Sequence, residues 1–136
     1  MSTPAPSSLL PIPWAEDAQV LTHTGGCHCK KVRYEFQHPD IYTMEVVSCN
    51  CTICESRGAL NVYTPDAMFK FTSGTETLRE YRFGDEKIHH RFCAVCGAAV
   101  GAHFAAKGFA IVNVRSVDGI DLGRLKLKAF NGRAWN

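Results

Sequence analysis

Alternation of apolar and polar side chains is the dominant pattern of this chain from residue 18 onward. It is clearest over residues 31–36, 59–63 and 78–83, and a period of two predicts half-buried β-strands. Residues 109–114 are the most apolar segment and predict a central strand. Further short strands are predicted at residues 19–23, 44–48, 69–72 and 87–92. No window carries a sustained 3.6-residue apolar stripe, so we expect little helix and an all-β sheet domain.

Glycine and proline mark the boundaries of these predicted strands. Gly25-Gly26 predicts a turn after the first strand, and residues 55–58 predict a loop or a single helical turn. Residues 1–17 contain four of the six prolines together with Ser and Thr. That composition predicts a flexible N-terminal arm, followed by a single domain over residues 18–136.

Length and charge limit the classes of function. A chain of 136 residues is expected to form one domain with a real core, and its formal net charge is only +2. Because no run of Lys or Arg occurs, we expect neither a nucleic-acid nor a membrane partner. No Lys or Arg precedes Lys30, so a secretory leader or a transit peptide is not expected. The expected setting is the reducing cytosol or the nucleus, where thiols are free to bind metal.

The seven cysteines change this picture from an ordinary β domain to a metal protein. An odd number cannot pair completely within the chain, and the short spacings suit metal binding better than disulfides. The cysteines form three groups along the sequence. These are Cys27-x-Cys29, Cys49-x-Cys51-x-x-Cys54 and Cys93-x-x-Cys96.

The spacings favour two zinc sites. Cys27 and Cys29 share one face of an extended segment, while Cys93 and Cys96 frame a tight turn that Gly97 permits. Together these four thiols predict a closed, structural zinc site that joins two distant parts of the chain. The remaining three predict a site with an open fourth position for water or substrate, which is the arrangement of a catalytic zinc. Its ligands would be Cys49, Cys51 and Cys54.

Spacing alone leaves other groupings open. The Cys51-x-x-Cys54 and Cys93-x-x-Cys96 pairs would also make a four-thiolate ribbon. Alternatively, both clusters are structural and a histidine completes the group of three. The histidines considered for that role are His28, His89, His90 and His103.

Three ordered motifs give the sequence a more specific signature. They are Gly25-Gly26-Cys27-His28-Cys29-Lys30-Lys31-Val32-Arg33-Tyr34-Glu35, Cys49-x-Cys51-x-x-Cys54 and Phe92-Cys93-x-x-Cys96-Gly97. Over residues 24–114 the chain resembles the glutathione-dependent formaldehyde-activating enzyme family, which also includes centromere protein V. The resemblance implies a β-tent fold of antiparallel sheets. It also implies a structural zinc on the first and last cysteine pairs and a catalytic zinc on the middle three cysteines.

The resemblance implies reversible carbon–sulfur chemistry, in which glutathione adds to formaldehyde to give S-hydroxymethylglutathione. We therefore expect a zinc-dependent carbon–sulfur lyase that acts on an adduct of glutathione or of another thiol. Glutathione carries two carboxylates, so an arginine is expected near the three cysteines, with Arg57 first and Arg91 second. The alternative is a non-enzymatic zinc module that binds a protein partner, as the centromere-associated relative suggests.

Two positions depart from the pattern of the family. The family often has His where this chain has Asn50, and Gly where it has Lys30. Neither change removes a metal ligand, and both are expected to alter the choice of substrate. The residues after Val114 show no match to a glutathione-binding segment.

Overall fold

The computed structural model describes residues 10–135 and shows a mainly β protein, as the sequence predicts. The strands are β1 (Val20–Gly26), β2 (Arg33–Pro39), β3 (Glu45–Cys49), β4 (Asn61–Pro65), β5 (Phe69–Ser73), β6 (Leu78–Tyr81), β7 (His89–Cys93), β8 (Ala99–Phe104), β9 (Phe109–Asn113) and β10 (Lys126–Phe130). One α-helix, α1, spans Thr52–Arg57. Short 3-10 turns lie at Ile41–Thr43, Asp66–Met68, Ala105–Lys107, Val114–Ser116, Leu122–Arg124 and Gly132–Trp135. No helix in the described part is long and apolar enough to cross a membrane.

The strands form two sheets of unequal size. The smaller sheet has the order β1-β2-β5, and the larger has the order β10-β3-β4-β9-β8-β7-β6. All of the strand pairs are antiparallel except β10 with β3, which makes the larger sheet mixed. The apolar segment predicted as the central strand is β9, which lies between β4 and β8 in the middle of the seven strands. Strands β8 and β10 had no counterpart in the sequence-based prediction.

The two faces of the larger sheet have different surroundings: one packs in the main core and the other borders a cavity. On one face the valines of adjacent strands pack with the smaller sheet in the main core. These valines include Val46, Val62, Val100 and Val112. Because side chains alternate along a strand, the residues next to them point to the opposite face. There Val47, Tyr63 and Phe109 form a second cluster, which supports the site described below.

Gly25 and Gly26 lie inside β1 and not in the predicted turn. A Cβ at Gly25 would lie 2.4 Å from the Ser116 carbonyl oxygen, and one at Gly26 would lie 2.1 Å from the Val32 carbonyl oxygen. The glycines therefore permit a close approach of neighbouring backbone. The turn predicted at these two positions is not formed. The loop or helical turn predicted at residues 55–58 is the end of α1, where Gly58 adopts the left-handed conformation.

The described end of the N-terminal segment packs on the second cluster. Leu10 and Trp14 are buried against Val47, Tyr63 and Phe109. Residues 1–9 of the predicted arm lie outside the described residues. The division of the chain into an arm over residues 1–17 and a domain over residues 18–136 stays a prediction.

Candidate metal centres and the adjoining cavity

Four cysteines from two sheets meet in one cluster. Cys27 and Cys29 follow β1 of the smaller sheet, while Cys93 ends β7 of the larger sheet and Cys96 follows it. Their four sulfur atoms lie within 4.8 Å of one another, and Cys27 and Cys93 are fully buried in the main core. The cluster therefore links the two sheets from inside the protein.

The spacing of these sulfur atoms fits a tetrahedral zinc. With Zn–S bonds of about 2.3 Å, the sulfur atoms of a regular tetrahedron are about 3.8 Å apart. The Sγ atoms of Cys29 and Cys93 are 3.8 Å apart, and those of Cys27 and Cys29 are 3.5 Å apart. All seven cysteines of the chain are free thiols. A soft divalent cation with four thiolate ligands fits this cluster.

Backbone amides around the cluster favour the thiolate form. The amide of Val32 donates to the Cys27 sulfur at 3.3 Å, and that of Val95 donates to the Cys93 sulfur at 3.4 Å. Hydrogen bonds from the Cys96 and Val95 amides lower the pKa of the Cys93 thiol to about 6. The turn after β7 is thus built to carry negative charge on sulfur.

The other three cysteines are positioned by the junction of β3 and α1. Cys49 ends β3, Cys51 is the extended residue that precedes the helix, and Cys54 lies in its first turn. The helix is short because Gly58 ends it in the left-handed conformation. This strand-to-helix turn brings three sulfur atoms within 4.8 Å of one another.

Burial and mutual proximity of the three cysteines disfavour negative charge on sulfur unless a cation is bound. Burial, followed by the neighbouring Cys51, raises the pKa of Cys54 to about 12. Hydrogen bonds to sulfur come from the Cys51 amide to Cys49 at 3.4 Å and from the Asn61 side chain to Cys54 at 3.6 Å. The raised pKa favours a neutral Cys54 thiol without metal, whereas a bound divalent cation would stabilise the thiolate form of the ligands. The donor set fits zinc with one position left over.

The structure groups the cysteines as four and three, and the alternative ribbon of Cys51, Cys54, Cys93 and Cys96 is not formed. Among the described residues, no histidine joins either group. His89 faces Glu80 with its Nδ1 3.7 Å from a carboxylate oxygen, and His103 bonds Asp66 at 2.9 Å. The other two candidates, His28 and His90, line the cavities described below and lie outside both cysteine groups.

A cavity of about 540 Å³ opens beside the three cysteines, all of which line it. Its floor is the second face of the larger sheet, from β10 across to β7. Most of its lining is apolar, with Ile12, Phe83, Ile88, Phe104, Ile111 and Phe130 among the residues. By contrast, Cys27 and Cys93 of the four-cysteine cluster are buried in the core. The two cysteine clusters therefore differ in access: all three cysteines of one line the apolar cavity, whereas the other is half buried in the core and reaches a cavity only at Cys27.

The C-terminal segment closes around the three cysteines, a role that the sequence did not reveal. The Asn50 side chain donates to the Asn131 side chain at 3.0 Å and accepts from the Arg133 amide at 3.1 Å. The Arg133 guanidinium donates to the Asn50 carbonyl at 2.6 Å and to Glu55 at 2.8 Å. Asn50, between two cysteines of the group, thus fixes the chain end beside them. The only sequence signal was an amide side chain where the family often has His.

A second cavity, about 470 Å³ in volume, adjoins the first and is basic. Its charged lining residues are Lys30, Arg33, Arg57, Arg115 and one carboxylate, Asp118, which pairs with Arg33. Arg57 also lines the apolar cavity. Of the two arginines expected near the site, Arg57 is there. Arg91 is elsewhere: its guanidinium lies 5.2 Å from the Phe71 ring centre and near Glu80.

His90 and Tyr63 are two further polar residues that line the apolar cavity. Burial, with the nearby positive charge of Arg57, lowers the pKa of His90 to about 4, so its imidazole is neutral at pH 7. Its ring stacks on Phe83 with ring centres 5.5 Å apart. Burial also raises the pKa of Tyr63 above its usual range. Tyr63 was missed in the sequence because it reads as an ordinary strand residue.

Comparison with known proteins gives a consistent result. A sequence model of the glutathione-dependent formaldehyde-activating enzyme family matches residues 22–130, which include all seven cysteines. A protein of Rhodobacter sphaeroides with a known crystal structure has the same fold, with a TM-score of 0.68 and 27% identity. That similarity covers 77% of this chain and 99% of the other. On the cysteine geometry and the family match together, this chain belongs to the glutathione-dependent formaldehyde-activating enzyme family.

Proposed function

We propose that this protein is a zinc-dependent carbon–sulfur lyase that forms and cleaves adducts between an aldehyde and a thiol, with glutathione as the thiol. The observation that carries the proposal is the difference in access between the two cysteine clusters. All three cysteines of one group line the apolar cavity of about 540 Å³, whereas in the four-cysteine cluster only Cys27, which is 2% exposed, lines the neighbouring basic cavity. The family to which the chain belongs supports glutathione as the thiol and an aldehyde as its partner.

The two clusters take different roles in this proposal. Cys27, Cys29, Cys93 and Cys96 would hold a structural zinc that is needed for folding. Cys49, Cys51 and Cys54 would hold the zinc of the active site. A zinc ion bound there supplies an acceptor for a thiolate sulfur and a Lewis acid for a carbonyl oxygen. A non-enzymatic interaction module would have no use for a cavity at an incomplete metal site.

The chain's own residues orient the thiol. Glutathione carries two carboxylates, and the basic cavity next to the three cysteines offers Lys30, Arg57 and Arg115. Arg57 lies on the last turn of α1, three residues after Cys54, and lines both cavities. The carboxylates are bound in the basic cavity, and the sulfur points toward the three cysteines.

A proton must also move, because cleavage converts a hydroxyl group into a carbonyl. The carbon–sulfur bond breaks, the hydroxyl proton leaves, and the released thiolate gains a proton, so that free thiol and aldehyde form. His90 is neutral at pH 7 and lines the same cavity, so it is the side chain that we assign to accept the hydroxyl proton. The stack on Phe83 holds its ring in place.

The proposal is tested by replacing one cysteine of the open group. Loss of an outer-shell partner of a metal commonly costs 10–100-fold in activity, so loss of a direct ligand in Cys54→Ser is expected to cost at least about 100-fold. NMR exchange between formaldehyde and S-hydroxymethylglutathione, with zinc-loaded protein, measures the rate. The matched control is Ser56→Ala on the same helix, whose exposed hydroxyl bonds only the Ile53 carbonyl. Equal rates for Cys54→Ser and wild type would refute the proposal.

A further inference from the structure

The apolar cavity is larger than the formaldehyde reaction requires. S-hydroxymethylglutathione places a single carbon and its hydroxyl group beyond the sulfur, whereas the cavity measures about 540 Å³. Volumes of about 300–1,000 Å³ are typical of sites that enclose a whole small-molecule ligand. If the protein acts on thiol adducts, as proposed above, this volume is available to the group attached to the sulfur.

The lining of the cavity determines whether a polar or an apolar group on the sulfur is favoured. Phe109 and Ile111 occupy alternate positions of β9, so their side chains point to one face of the sheet. The register of β3, β4 and β9 places Val47 on the same face. Phe83 and Ile88 form the far wall, on the loop between β6 and β7. These side chains offer contact area and no hydrogen-bond donor or acceptor. They favour a hydrocarbon group over a hydroxymethyl group.

The polar lining residues are placed where they separate the two parts of an adduct. Arg57 and Asn113 line both cavities, and so stand at their junction. On the far side of that junction are the cations Lys30 and Arg115. The carboxylates of the thiol belong on this basic side. The substituent on sulfur then extends over the three cysteines into the apolar cavity.

We propose that the preferred substrates are adducts of a glutathione-like thiol with an apolar aldehyde of several carbons. Such an adduct is a hemithioacetal, R–S–CH(OH)–R′, in which R′ is an alkyl or aromatic group. Cleavage breaks the C–S bond, the hydroxyl proton is lost as the carbonyl forms, and the thiolate takes up a proton. The products are the thiol and the aldehyde R′CHO, and no oxidant or reductant takes part.

The test uses thioethers, which lack the hydroxyl group and therefore bind without being cleaved. S-methyl-, S-butyl- and S-hexylglutathione are titrated into zinc-loaded protein by isothermal calorimetry. Each methylene buried in an apolar site is expected to tighten binding about fourfold, the change that corresponds to about 0.8 kcal/mol. We expect the dissociation constant to fall steadily from methyl to hexyl. A flat series would overturn the assignment.

Two variants locate the hydrocarbon chain. Phe83→Ser removes part of the far wall, and Ile111→Thr removes apolar surface from the floor while keeping a β-branched residue in the strand. Each should weaken S-hexylglutathione at least tenfold and S-methylglutathione less than twofold. The matched control is Leu127→Ser, since Leu127 is 56% exposed and does not line the cavity. Equal weakening by the control, or of both ligands, would contradict the proposal.

A parallel activity measurement separates this proposal from the proposed reaction. If S-hydroxymethylglutathione is cleaved while thioether affinity does not change with chain length, the lyase function stands and the apolar preference is wrong. If affinity rises with chain length but no hemithioacetal releases thiol in a zinc-dependent way, the apolar cavity is correctly assigned and the lyase function is wrong. Faster release of thiol from a butanal adduct than from the formaldehyde adduct supports both.

Discussion

His38 is a titratable side chain buried near the end of β2. It is 2% exposed, and its ring lies 5.5 Å from that of Trp14 and 6.2 Å from that of Phe36. Its Nδ1 donates to the Pro39 carbonyl at 2.8 Å, and the His23 ring lies 6.1 Å away. Burial lowers the pKa of His38 to about 4. The folded protein therefore holds this imidazole neutral.

The buried His38 makes stability depend on pH. In the unfolded chain the imidazole gains a proton as the pH falls through 6.5, while in the folded protein it does so only near pH 4. Its contribution to stability is present in full above pH 6.5 and is lost as the pH falls from 6.5 to 4. The loss is on the order of 3 kcal/mol. Urea unfolding at pH 7.5 and at pH 5 measures the first part of this loss, about 2 kcal/mol.

The control for this effect is His38→Phe, which keeps a buried ring and removes the titrating group. Wild type and variant carry the same cysteines, so the difference between their unfolding free energies cancels the pH dependence of metal binding. We expect that difference to change in favour of the variant as the pH falls. A difference that is independent of pH, or an NMR titration that places the folded His38 near 6.5, would refute the prediction.

At the residue scale, the cysteine clusters could be predicted from the sequence, whereas most of the residues around them could not. Spacing favours the grouping of cysteines into four and three, the family resemblance implies it, and the sulfur atoms meet in those two groups. Asn61 and Tyr63 of β4 also reach the open site, but they do so through strand packing. Because no local spacing connects them with the cysteines, only the folded sheet identifies them.

At the scale of the element, the C-terminal 3-10 turn packs against the three-cysteine site. After β10, the turn at Gly132–Trp135 brings Gly132 against the cysteines. A Cβ at Gly132 would lie 2.3 Å from the Cys49 sulfur and 2.9 Å from the Cys51 Cβ. Real contacts are never that close, so with a side chain here either Cys49 and Cys51 or the C-terminal turn must shift.

Gly132→Ala is therefore expected to impair the open metal site selectively. We predict that the variant keeps the zinc of the four-cysteine cluster and its fold, but binds the second zinc at least about tenfold more weakly, as when a side chain that supports a metal ligand is lost. Competition with a chromophoric chelator gives both affinities. The control, Gly123→Ala, lies in another 3-10 turn, where the nearest atom to a new Cβ is 3.4 Å away. Unchanged affinity in Gly132→Ala would contradict the packing described.

Elements with a strong local pattern were the predictable ones. Alternation located most of the strands, and the apolar segment at residues 109–114 located the central one. Strand β8 was missed because Ala and Gly, which are poor strand formers, occupy half of its positions. Strand β10 was missed because it is exposed throughout and depends on a parallel partner, β3, some eighty residues earlier.

At the scale of the whole molecule, the four-cysteine cluster joins the two sheets. The two sheets also share the main hydrophobic core, and the polar contacts between these regions include the ion pair of Arg33 with Asp118 and the contact of the Tyr34 hydroxyl with the Ser116 hydroxyl at 2.6 Å. An exposed ion pair contributes at most about 1 kcal/mol, whereas zinc bound by four thiolates contributes on the order of 10 kcal/mol. We therefore expect a metal ion at the four-cysteine cluster to stabilise the fold, and one at the three-cysteine cluster to serve the proposed reaction.

The number of zinc ions per chain, before and after mild chelation, tests this division most directly. Native mass spectrometry of the zinc-loaded protein should show two zinc ions per chain, and a mild chelator should remove one while the protein stays folded. Cys54→Ser should start with one zinc, and that ion should resist the same treatment. Loss of both ions together, or a wild-type protein that binds a single zinc, would contradict the account of one closed and one open metal centre.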